Sequence, residues 1–148
     1  MTPPVARSLG LVERLLVLRQ QTAFSGAPLE SLVALAHTSE EVALSAGTVM
    51  TQAGDAGTSS YDIIDGASRA RHVSGAARVL GAGDAVGHLE LLGRLPYDET
   101  IEVIEPLRAL KIEAPILFDV IEDHADFGRA ILAALAGQLL DAPASLIN

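Results

Sequence analysis

The chain has 148 residues, no cysteine and a formal net charge of −9. That length matches one domain and buries roughly 70% of the unfolded chain's surface, while the missing cysteine excludes a disulfide framework and thiolate chemistry. The acidic balance, with a pI near 4.7, argues against nucleic acid and against an anionic membrane surface, because both demand a basic footprint.

In chain order, residues 8–20 read as a helix capped by Ser8, with Leu11, Val12, Leu15, Leu16 and Leu18 on a wide apolar face and Arg7, Glu13, Arg14 and Arg19 solvated opposite. Ala27-Pro28 opens a second helix that turns Leu29, Leu32, Val33, Leu35 and Ala36 inward. From Glu41 the period changes to two. Val42, Leu44 and Ala46 alternate with polar neighbours before the Ala46-Gly47 turn. Short strands follow at 49–52 and 61–64, the latter ending in the tight-turn dipeptide Asp65-Gly66. Strands at 68–73 and 77–80 bracket Ser74-Gly75-Ala76 as a hairpin. After residue 100, Ile101, Val103 and Ile104, then Leu107, Leu110 and Ile112, supply two strands with Pro106 between them. The chain ends helical, at 115–122 and 126–140. Phe127, Ile131, Leu135 and Leu139 recur at spacing four, and Asp141-Ala142-Pro143 stops the helix. The expected fold is mainly β with flanking helices, a β-roll or jelly-roll with N-terminal helices and a C-terminal helical pair. One domain is expected over 1–148: helices in 8–37, a roll over 41–113 and helices over 115–140.

Within the roll, Gly83-Asp84-Ala85-Val86-Gly87-His88-Leu89-Glu90-Leu91-Leu92-Gly93-Arg94-Leu95-Pro96-Tyr97-Asp98-Glu99-Thr100-Ile101 lays out a glycine turn, a short apolar helix, a proline and a strand. This segment, 83–101, resembles the phosphate-binding cassette of the cyclic-nucleotide-binding domain family, whose pattern is roughly Phe-Gly-Glu-Leu-Ala-Leu-Leu, four residues, Arg, x, Ala, Thr. Gly87, Leu89, Leu91, Leu92, Pro96 and Thr100 match without a gap. The glycine turns at 46–47, 54–55, 65–66 and 81–84 follow in the family's order, so the resemblance covers nearly the whole chain. It implies a cupin-like double-stranded β-helix, a regulatory or sensor role and no enzyme activity. It also places the pocket at Val86, Gly87, His88, Leu89, Glu90, Tyr97, Asp98, Glu99 and Thr100.

The two residues that do the family's chemistry differ. His88 stands where the family has the glutamate that bonds the ribose hydroxyl, and Tyr97 where it has the arginine that pairs the cyclic phosphate. A buried monoanion wants backbone N–H groups and a cation. Each lost charge-assisted bond costs about 1.5–3 kcal/mol. Asp98, Glu99 and Glu90 replace small residues, and a carboxylate roughly 5–6 Å from the phosphate would repel it by about 3 kcal/mol at an effective dielectric near 20. The expectation is a module unable to bind cyclic AMP or cyclic GMP in the usual way, with Tyr97 plugging the vacated pocket. The alternatives are a working sensor that holds a cyclic nucleotide by non-standard contacts, with Arg94, Arg69, Arg71 or His88 compensating, or one that takes a different, neutral or cationic, small ligand. No cofactor is expected beyond that doubtful nucleotide.

Other chemistries lack their spacing. The histidines His37, His72, His88 and His124 offer no His-x-His pair, so no metal site is expected, although His72 and His88 can meet across the roll. Ser59, Ser60 and Ser74 have no nucleophile-elbow context, and Gly81-Ala82-Gly83 is too short for a dinucleotide fingerprint. Asp62, Asp65 and Asp84 suggest paired carboxylates, but Asp65 and Asp84 sit in turns, where aspartate is favoured for backbone reasons. No catalytic residue is expected. Met1-Thr2-Pro3-Pro4 does not start a signal peptide, and the apolar run Ala130 to Leu140 is too short to span a bilayer, so a cytoplasmic protein with no direct membrane insertion is expected. The last helix, 126–140, offers Ala130/Ala134 and Ala133/Gly137 pairs for close approach of another helix, so the expected partners are a second copy of the chain, a linked host domain or another protein.

Overall fold

The computed structural model describes residues 8–141; the expectations for Met1 to Pro4, Arg7 and Ala142-Pro143 lie outside them. Helix α1 spans Leu11–Arg19 and is capped by extended Gly10, not by Ser8; the Glu13 carboxylate accepts the Gly10 N–H at 3.3 Å. Of its apolar side chains only Leu18 is buried, while Val12 and Leu16 are exposed. Its arginines are not simply solvated. Arg14 donates to the Ser39 and Ala36 carbonyls at 2.6 and 3.2 Å, and Arg19 to those of Ala27 and Ser25 at 2.8 and 3.0 Å. Arg14 thereby satisfies carbonyls orphaned at the end of the next helix, α2 (Leu29–Thr38). A 3-10 turn, Thr22–Phe24, buries Phe24 against the rings of His88 and Phe127. In α2, Leu32, Leu35 and Ala36 pack inward as expected, but Leu29 in the first turn points to solvent.

Six strands form one antiparallel sheet: β1 (Glu40–Leu44), β2 (Val49–Thr51), β3 (Ser59–His72), β4 (Ala77–Leu80), β5 (Ala85–Val86) and β6 (Glu99–Glu113). Their order is β1-β6-β3-β4, with β2 also on β6 and β5 on β3. The sheet curls into the expected roll without closing into a barrel. Two details differ from the sequence reading. Asp65-Gly66 is not a tight turn: β3 runs straight through it, with register shifts between Ile63 and Ser68. Gly66 has φ +94°, and a Cβ there would run into the backbone of Pro106 and Leu107. The same bulge holds Pro106 inside one long β6 rather than between two strands, at a place where its missing N–H breaks no ladder bond.

Alternation along β3 and β6 separates two cores. Ser60, Asp62, Leu110 and Ile112 face the helices, where Leu18, Phe24, Leu35, Leu117 and Phe127 meet them. Tyr61, Ile63, Ala70, Ile101, Val103 and Ala109 fill the roll. Helices α4 (Ala114–Asp123) and α5 (Ala125–Asp141) complete the helical layer. Pro115 suits the first turn of α4. The spacing-four ridge of α5 packs only at its start: Phe127 and Ile131 are buried and Leu135 is half-buried. Leu139, with Leu132 and Leu140, faces solvent. Among the described residues no helix is long and apolar enough to cross a membrane.

Candidate ligand site

The cassette is built on backbone geometry. Gly83 has φ +90°, and the Asp84 carboxylate accepts the Gly81 N–H at 2.8 Å, fixing the turn. Strand β5 then pairs Val86 with Tyr61 and Ala85 with Asp62. Gly87, with φ +83°, caps α3 (His88–Gly93). A Cβ at Gly87 would sit 2.7 Å from the Ser59 carbonyl oxygen and 3.3 Å from the Tyr97 ring, so only glycine fits. Arg94 closes the helix in the left-handed region at φ 53°. The return is strapped to the loop before β3 by Gly57 N–H to Leu95 O at 3.0 Å, and by Tyr97 N–H to Asp55 O and Gly54 N–H to Tyr97 O at 2.8 Å each.

The side chains at the family's ligand positions each find a partner in the protein. The His88 ring leaves the roll for the helical layer. Its Nε2 lies 3.0 Å from Asp62 Oδ1, and its ring centroid is 5.1 Å from that of Phe24. Asp62 is completely buried and the His88 side chain is 11% exposed. The contact has ion-pair distance without hydrogen-bond alignment, and neither Asp62 oxygen has a hydrogen bond among the described residues. Tyr97 is buried; its hydroxyl donates to Ser59 O at 2.6 Å and accepts from Ser59 N–H at 3.0 Å. Asp98 pairs with His72 Nε2 at 3.3 Å, and His72 Nδ1 meets the Ser74 hydroxyl at 2.9 Å. Glu99 receives Arg78 at 3.0 and 3.4 Å. Arg78 lies opposite Ala70, itself opposite Ile101, so it stands on the inward face with Glu99.

The remaining predicted positions scatter. Val86 belongs to the roll core, and Leu89 is exposed. Glu90 packs over Gly57, in the loop before β3. The Thr100 hydroxyl accepts from Gln52 Nε2 and Ala53 N–H at 3.1 Å each, on the outer face. Arg94 lies over the Phe118 ring of α4 at 5.2 Å, away from the roll. Arg69 and Arg71 alternate with inward Ser68 and Ala70 and are exposed on the outside rather than lining the roll. His72 and His88 do not meet; each has its own carboxylate. Among the described residues no three metal-ligating side chains cluster.

Sequence reading missed two residues here, Arg78 and Lys111, and weighed a third, Asp62, only as a paired carboxylate. Asp62 carried a signal, a lone carboxylate inside the apolar run Tyr61 to Ile64. Arg78 was reachable from the hairpin register. Lys111 was not singled out. It helps line a cleft of about 340 Å³ beside Tyr61, Tyr97 and Thr51, with Nζ 5.9 Å from the Tyr61 ring centroid and 3.8 Å from Glu113. Burial pushes the Tyr61 phenol above its ordinary range, and Tyr97, Glu113 and Glu40 add to the shift.

A roll capped by a glycine turn, a short helix and a proline return defines a binding module in which one segment screens the interior. The model of the cyclic nucleotide-binding domain matches residues 41–124, and the chain belongs to that family. The family's domains are regulatory and sensory, not enzymes. No curated protein matches the sequence. The chain is similar to the N-terminal domain of a transcriptional regulator from Streptomyces coelicolor A3(2), at 23% identity and TM-score 0.73, covering 83% of this chain and 91% of that one. It is similar to the sensor domain of the transcriptional regulator DNR from Pseudomonas aeruginosa, at 18% identity and TM-score 0.68, covering 87% and 90%. A cyclic nucleotide-binding-like protein from Brucella abortus bv. 1 str. 9-941 aligns at 21% identity and TM-score 0.67, covering 74% and 97%.

Proposed function

We propose that the chain is a regulatory module, a single domain over 1–148, whose cassette is satisfied by its own protein and does not accept cyclic AMP or cyclic GMP in the usual way. The carrying observation is Tyr97, whose hydroxyl is spent on both main-chain groups of Ser59 at the position of the family's phosphate-binding arginine. His72 and Arg78 likewise hold Asp98 and Glu99. Calorimetric titration of the wild type with both nucleotides is expected to be silent. The restoring variant is Tyr97→Arg with His88→Glu and Asp62→Leu, because a glutamate at 88 would otherwise sit against the buried Asp62 carboxylate. Micromolar binding by the wild type would overturn the reading.

The Lys111 cleft supports a second reading, a sensor for another small ligand. A compound retained in native mass spectrometry would favour it, and a bare mass would count against it.

The module acts through its helices, in the cytoplasm, on a linked host domain or a second copy. Exposed Leu132 and Leu139 flank half-buried Leu135 at spacings of three and four, the seam of a two-helix contact. A dimer by light scattering that Leu132→Glu converts to a monomer supports pairing through residues 126–140; a monomeric wild type refutes it.

A further inference from the structure

Away from the cassette, the outer face of the sheet carries a cleft of about 180 Å³ lined by Arg69, Arg71, Thr100 and Glu102. The register creates it. Arg69 lies opposite Glu102 on β6 and Val79 on β4, and Arg71 lies opposite Thr100 and Ala77. Residues two apart on a strand share a face, about 6.5–7 Å from one another. Val49 of β2 extends the first row beyond Glu102. The result is an exposed row, Val79, Arg69, Glu102 and Val49, with Arg71 beside it.

The two guanidiniums stand out as neighbours that both lack a partner. Arg14 and Arg19 serve carbonyls, Arg78 and Arg108 serve carboxylates, and Arg94 covers a ring. Arg69, Arg71 and, on α5, Arg129 have no hydrogen bond or ion pair among the described residues, and of these three only Arg69 and Arg71 stand side by side. The chain has 19 acidic and 10 basic residues, so adjacent cations left unpaired do not follow from a shortage of carboxylates. Glu102 offsets one of the charges and leaves Arg71 as the uncompensated end. Thr100 accepts two hydrogen bonds already, so its own O–H is free to donate. The cleft therefore offers two planar cationic donors and one hydroxyl donor in a space suited to a single carboxylate.

We propose that this face docks an acidic segment of a protein partner, with one carboxylate between Arg69 and Arg71 and apolar neighbours on Val49 and Val79. Charge complementarity selects the occupant, and the exposed valines on either side favour a side chain carried on a peptide over a free ion. The test is a nuclear magnetic resonance titration of the isotope-labelled chain with the peptide acetyl-Ser-Val-Asp-Glu-Val-Ser-amide, with its Asn/Gln counterpart, and with inorganic phosphate. The acidic peptide is expected to shift the side-chain N–H signals of Arg69 and Arg71 and the Thr100 amide. The uncharged peptide should bind at least tenfold more weakly, as should the acidic peptide on each of Arg69→Gln and Arg71→Gln. Both positions are exposed, so these variants should melt like the parent; should either fail to fold, the paired peptides on the wild type still decide. Equal binding of the two peptides, no shifts at millimolar peptide, or phosphate binding more tightly than the acidic peptide would each overturn the proposal.

Discussion

Replacing His88 by leucine is expected to lower stability by about 1–3 kcal/mol, the usual cost of leaving a buried polar group without its neighbour. Asp62 is completely buried; its carboxylate has no hydrogen bond among the described residues and lies 3.0 Å from His88 Nε2. Leucine keeps most of the volume and the contact with Phe24, so the loss reports the stranded carboxylate rather than a cavity. For a chain of this size that corresponds to a drop of roughly 3–10 °C in melting temperature. The double variant Asp62→Leu, His88→Leu removes the carboxylate too and should recover most of the loss. Urea unfolding followed by far-UV circular dichroism measures both. A single variant costing under about 1 kcal/mol, or a double variant no more stable than the single, would refute the reasoning.

Gly87→Ala should cost at least about 2 kcal/mol, since it strains a φ of +83° and drives a Cβ to 2.7 Å from the Ser59 carbonyl; thermal melting checks it. Tyr97→Phe keeps the ring but leaves Ser59 N–H and C=O without the hydroxyl, an expected loss of about 1–3 kcal/mol in urea unfolding. Tyr61 has its folded pKa raised by burial, so its contribution is fully present below the unfolded value of about 10 and is lost as pH rises through the higher folded value. Tyr61→Phe should therefore flatten the fall in stability above pH 10, and an unchanged pH profile would contradict that.

Legibility followed locality. The left-handed glycines at 83 and 87, the cassette between them and the switch from helical to strand period are properties of neighbouring residues. They could be read from the chain alone. Asp65-Gly66 misled because the dipeptide looks like a turn in isolation; only the close passage of Pro106 and Leu107 shows why glycine is required inside a continuous strand. Burial of helix faces was overestimated in α1, α2 and α5, since amphipathic spacing does not say how far a partner surface extends. The partners of the substituted cassette residues depend on register. Arg78 reaches Glu99 because β4 and β6 pair with β3 on opposite edges, a fact no local pattern carries.

Three of the unusual cassette residues have a charged or titratable counterpart elsewhere: His88 with Asp62, Asp98 with His72, Glu99 with Arg78. A pocket that had merely lost its ligand would have no reason to supply three complementary partners, two of them on other strands and one inside a core. If the pairs are part of a built arrangement, their coupling should follow burial. His88 and Asp62, at 11% and 0% exposure, should show the largest coupling in a double-mutant cycle. Glu99 and Arg78, at 21% and 59%, should follow at about 0.5–1 kcal/mol, falling with salt. Asp98 and His72, at 57% and 38%, should lie near zero. Three cycles by urea unfolding test the ranking. Zero coupling at the buried pair, or an exposed pair coupling more strongly than the buried one, would mean that the contacts are incidental and that the cassette is held by its backbone alone.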